Sequence, residues 1–160
     1  MKKRWIIYGI IGILFGIFDF YYQEFTERLN YIFNRNILVW FIVAWGIWLI
    51  PVIPIDFYEA KTFKNIKQPI IANIFIWVIA VCSYYIWIPI KWIFIGQPSM
   101  SFMHISNCNN EHYLDNLKNT FWGLITEDAP EWIVVAIVGG SVIGFLVGFS
   151  YIHLKRQKNE

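Results

Sequence analysis

Four long apolar runs, residues 5–23, 37–57, 69–96 and 132–153, leave this chain few ways to fold. Crossing about 30 Å of hydrocarbon takes about 20 helical residues at roughly 1.5 Å each, and each run is of that order or longer. In water they would need a core larger than a chain of 160 residues can enclose. With 58% of the residues hydrophobic, 20% aromatic and only 15% charged, too few polar side chains remain to cover such a core. A soluble enzyme, a disordered tail and a nucleic-acid binder are therefore set aside, and a net charge of +2 implies no nucleic-acid partner. The expected fold is all-α: a polytopic membrane protein, one membrane domain over residues 1–160 built as a bundle of four transmembrane helices, with the lipid bilayer as its solvent.

Lys2, Lys3 and Arg4 before the first run imitate a signal peptide, but no small-residue cleavage site follows. The run closes on Asp19, Phe20, Tyr21 and Tyr22, an aromatic interfacial turn, so it is read as a retained span. Charge then orients the bundle. Lys2, Lys3, Arg4, Lys61, Lys64, Lys67, Lys155, Arg156 and Lys158, nine of the 13 cations, share one side of a four-span topology. The excess of Lys and Arg marks the cytoplasmic side, which places both termini there in a plasma membrane. Richness in Ile, Asn and Lys suggests a bacterial source of low GC content. Cys82 and Cys108 are too few for a disulfide framework and say nothing of compartment.

The first outer loop is expected to prolong helix one and turn at residues 34–36. In the second, residues 97–131, Leu114, Leu117, Phe121, Leu124 and Ile125 recur at helical spacing and predict a short amphipathic helix on the outer surface. Asp128, Pro130 and Glu131 then read as the N-cap, first turn and capping partner of span four. Within the spans, Ala136, Gly140, Gly144 and Gly148 form a stripe of small residues, and Gly9, Gly12 and Gly16 another. Such faces let backbones approach closely, so spans one and four are expected to pair, a homodimer or partner subunit being the other use. Pro51, Pro54 and Pro89 are expected to kink spans two and three, because proline displaces the carbonyl four residues earlier.

Ionisable groups at membrane depth are the first place to look for chemistry. Asp19 lies about 22 Å along the helix from Arg4 at roughly 1.5 Å per residue, among Phe18, Phe20, Tyr21 and Tyr22. Lys91 is either its ion-pair partner or a lysine that snorkels alone to the headgroups. Asp56, beyond Pro54, reads as interfacial. Tyr22, Tyr84 and Trp87 join Asp19 and Lys91 as candidates for lining an outward-facing aromatic site, the competing reading being an ordinary interfacial belt. His104, Cys108 and His112 are spaced by four and could bind zinc or copper on a continuous helix, which the run Ser106, Asn107, Asn109 and Asn110 opposes.

No catalytic residue is assigned: the sequence holds no H-E-x-x-H, G-x-S-x-G, P-loop or C-x-x-C, and no cofactor is expected. Three functions follow as expectations. The first is a small non-catalytic binding or accessory subunit that contacts a hydrophobic ligand or a membrane partner. The second is a transporter component using Asp19 and the kinked spans, and the third an outward-facing membrane enzyme using His104, His112, Glu111 or Asp115.

Overall fold

The computed structural model describes residues 2–32, 37–91, 94 and 111–157, and among these there is no strand. In chain order the helices are α1 (Lys2–Ile32), α2 (Ile37–Gly46), α3 (Leu49–Phe63), α4 (Lys67–Ile90), α5 (Tyr113–Gly123) and α6 (Ala129–Gln157), with a π turn (Leu124–Asp128) joining the last two. Three helical stretches are long and apolar enough to cross a membrane, or four if the bent pair α2 and α3 counts as one span. As expected, α1 runs past residue 23 into the first loop, to Ile32.

Helix α4 is the hub. Its buried residues Pro69, Ala72, Asn73, Ile76, Trp77, Ala80, Val81, Tyr85 and Ile88 recur at intervals of three and four along its length, so it is covered by neighbours from end to end. Helix α1 runs parallel to it, with Arg4 beside Gln68 and Gly16 beside Ala80. Helices α3 and α6 run antiparallel to it and also touch each other. The turn from α3 to α4 is tight: Lys64 takes a left-handed conformation at φ 50° and donates its N–H to Ala60 O at 3.0 Å. Asn65 Oδ1 accepts the N–H of Lys67 at 2.9 Å, satisfying a donor of the new helix.

Both glycine stripes face α4, which corrects the expected pairing of spans one and four. A Cβ on Gly12 would meet Ile76 O and Ile79, and one on Gly16 the carbonyl of Ala80 and the Ser83 hydroxyl. On α6, a Cβ at Gly140 would lie 3.2 Å from the backbone of Ile74, at Gly144 2.7 Å from Ile70 Cα, and at Gly148 3.2 Å from Pro69. Helices α1 and α6 thus pack their bare faces on separate sides of one helix. A stripe of small residues specifies a close approach but not the identity of the approaching backbone.

The kink expected of the second run is a break of 50° between α2 and α3. It falls at Ile47 and Trp48, four residues ahead of Pro51, where the missing donor of that proline would have bonded. Ile50 N–H turns to Ile47 O at 3.1 Å instead, and Pro51 then sits in the first turn of α3, where it costs no hydrogen bond. Pro54 is carried inside α3.

The helix start expected at Asp128 is also corrected. Backbone dihedrals stay helical through Gly123, Leu124 and Ala129, and Ala129 N–H bonds to Leu124 O in π register. Tyr113 to Leu154 is one helical run of 42 residues. Widening the turn just before Pro130 absorbs that proline without a cap. The predicted amphipathic segment is helical and its Tyr113, Leu117, Leu124 and Ile125 pack on the core, whereas Leu114 and Trp122 stay exposed.

Candidate functional site

Two groups of side chains stand out against this apolar frame. The first lies where α1 and α4 begin and α3 ends. Asp56 and Glu59 are three residues apart on α3 and so share a face. Asn73, one turn into the buried face of α4, looks at them across the antiparallel pair. All three side chains are fully buried. Asn73 Nδ2 donates to Asp56 Oδ2 at 3.0 Å, and the Tyr8 hydroxyl of α1 donates to Glu59 Oε1 at 2.7 Å. Arg4 completes the group, its guanidinium 3.6 Å from Glu59 Oε2 and donating to Gln68 Oε1 at 3.2 Å. The same guanidinium lies 4.2 Å from the centre of the Phe63 ring, an aromatic lid on a cation.

Three helices thus meet through polar atoms in a place where each unmatched one is costly. Even so, Asp56 Oδ1, Glu59 Oε2 and Asn73 Oδ1 are buried without a hydrogen-bond donor among the described residues. Asp56, expected at the interface from its position beyond Pro54, is fully buried among the helices. Helix α3 continues to Phe63, so Asp56 and Glu59 lie inside the bundle under α1 and α4. The sequence holds a signal for this cluster: a pair of acids at i and i+3, opposite an asparagine within the apolar run of α4.

The second group surrounds the break between α2 and α3. Trp48 sits at the break, its indole bonded to the Asp19 carboxylate and its carbonyl accepting Trp77 Nε1 at 3.2 Å. The Trp48 and Trp77 rings meet edge to face at 5.5 Å, as do Trp48 and Phe15 at 5.4 Å. Trp45, three residues earlier, stacks on Trp132 of α6 at 5.3 Å. Between them lies a crevice of about 40 Å³ lined by Trp45, Trp48, Trp77, Val81, Trp132, Val135 and Ala136. Trp132 and Val135 are also exposed, so one wall of the crevice reaches the outer surface of the bundle.

The residues named from sequence fall around this crevice and not in it. Asp19 is buried, takes a hydrogen bond from Gln23 Nε2 at 3.3 Å and reaches the crevice only through Trp48. The Lys91 ammonium lies over Phe20 and Tyr21, 4.7 and 5.5 Å from the ring centres. Tyr22 bonds to Val43 O at 3.0 Å and so ties α1 to α2. Tyr84 packs against Phe20 and Tyr85, and Trp87 carries an indole Nε1 that is buried without an acceptor among the described residues. Of the metal candidates, His104 and Cys108 lie outside the described residues, and exposed His112 faces Glu111 at 3.3 Å. The described residues hold no group of three or more potential His, Cys, Asp or Glu ligands.

Compared with known proteins, the chain matches no family model, no curated protein and no solved structure.

Proposed function

We propose that this is a multi-pass plasma-membrane protein of four spans with both termini in the cytoplasm. In this reading it has no catalytic activity, and it binds part of a hydrophobic molecule in the tryptophan crevice. The observation that carries this reading is the convergence of Trp45, Trp48, Trp77 and Trp132 on one crevice beside a broken helix. Rings in edge and stacked contact form rigid walls that grip an acyl chain or a flat ring. A crevice of this size holds one end of such a molecule and leaves the rest in lipid. The outward apolar surface of α1 and α6, from Ile6, Ile7 and Ile10 to Val138, Val142 and Phe145, supports immersion in hydrocarbon. Proton-dependent or ion-dependent transport is the second reading, favoured by the buried carboxylates of Asp19, Asp56 and Glu59.

Native mass spectrometry of the protein purified in mild detergent tests the binding reading. Wild type is expected to keep one lipid or other hydrophobic molecule per chain, and Trp45→Ala with Trp132→Ala to lose it while the far-ultraviolet circular dichroism stays helical. A wild-type chain that carries no such adduct, or a double variant that retains it, overturns the crevice as the binding site. A membrane-protein partner retained at fixed stoichiometry assigns the accessory role.

A further inference from the structure

We propose that Asp56, Glu59 and Asn73 form a buried site for one exchangeable small monovalent cation, a proton or sodium ion, between the end of α3 and the start of α4. The three side chains are fully buried, and each keeps one oxygen that no donor meets among the described residues: Asp56 Oδ1, Glu59 Oε2 and Asn73 Oδ1. These oxygens belong to adjoining groups. The Asn73 amide is joined to Asp56 at 3.0 Å, and Glu59 is the i+3 neighbour of Asp56 on the same helical face. What the three atoms share is a buried lone pair that no hydrogen-bond donor meets among the described residues, Arg4 standing 3.6 Å from Glu59 Oε2 alone.

Charge points the same way. Of the two carboxylates, Glu59 faces a guanidinium, that of Arg4, which reaches its Oε2 at 3.6 Å, longer than a hydrogen bond, while Asp56 meets the neutral amide of Asn73. From α1 the other titratable group is Tyr8, already spent on Glu59 Oε1. From α4 the described contacts are the neutral amides of Asn73 and Gln68, while Lys67 at its start is exposed. From α6, Tyr151 packs on the Phe57 ring, with exposed His153 beyond it, and on α3 itself Tyr58 is exposed. Among the described residues the cluster therefore sets two carboxylates against one cation, and a buried negative charge without compensation is strongly unfavourable. Carboxylate and amide oxygens are hard donors, suited to a proton or an alkali cation and ill suited to soft metals. The site is separate from the tryptophan crevice and does not depend on it.

Thermal unfolding of the full chain in detergent, followed by tryptophan fluorescence, tests this inference. Wild type and Asp56→Asn are compared in sodium chloride and in choline chloride of equal ionic strength, over a range of pH. Sodium is expected to raise the wild-type midpoint by a few degrees, and the variant's by none, if the ion is the ligand. A wild-type minus variant difference that changes with pH and not with sodium assigns a proton. A difference that responds to neither overturns the site. Where Asp56→Asn does not fold, infrared spectra of wild type decide. A carboxyl stretch that sodium or pH converts to carboxylate bands supports the site, and bands insensitive to both overturn it.

Discussion

At the scale of single residues, the bundle depends on which side chains are missing as much as on those present. Gly144 lets α6 sit so close to α4 that an added Cβ would lie 2.7 Å from Ile70 Cα and 2.9 Å from Ile70 N. Both are backbone atoms that cannot swing aside. Gly144→Leu is thus expected to lower stability by about 1–3 kcal/mol, the usual range for overpacking, measured by detergent-induced unfolding. Gly123 has nothing within 4 Å of the same atom. Gly123→Ala is expected to be neutral or to stabilise by up to about 1 kcal/mol through helix propensity, and an equal loss in the two variants would sink the distinction. Both α6 glycines and α1 glycines were legible in the sequence as close-packing positions. Their common partner was not, although Ala72, Ala80 and Ser83 mark small-residue faces on the run that became α4.

At the scale of elements, proline places a break without dictating what fills it. The displaced carbonyl four residues before Pro51 was predictable from sequence, and the break lies there, at Ile47. That Trp48 would occupy the break, held by Asp19 on one side and Trp77 on the other, depended on where α1 and α4 came to rest. Pro51→Ala restores an N–H that can reach Ile47 O, so the 50° bend is expected to decrease. Spin labels at the exposed positions 42 and 58 should then move apart, as read by pulsed dipolar spectroscopy; an unchanged distance means that the tryptophan contacts alone hold the bend. The segment before α6 teaches the reverse lesson. Asp128 and Pro130 are good start signals, yet α5 supplies a helical turn ahead of them, and a π turn accommodates the proline at less cost than ending one helix and beginning another.

At the scale of the molecule, the orientation proposed from the Lys and Arg distribution has a direct check. With both native cysteines replaced, a cysteine at position 118 is expected to react with an impermeant maleimide added to intact cells, and one at position 64 only after lysis. The opposite pattern inverts the orientation. Four long apolar runs, the basic turn at Lys61, Lys64 and Lys67, and the helices of the described residues were determined by the sequence alone, because a helix satisfies its backbone hydrogen bonds locally, within each run. Helix order around α4, the crevice of four tryptophans and the burial of Asp56, Glu59 and Asn73 were decided only in three dimensions. Each depends on contacts between residues far apart in the chain, such as Tyr8 with Glu59, 51 positions away. Neither hydropathy nor spacing along a helix records which distant face will arrive.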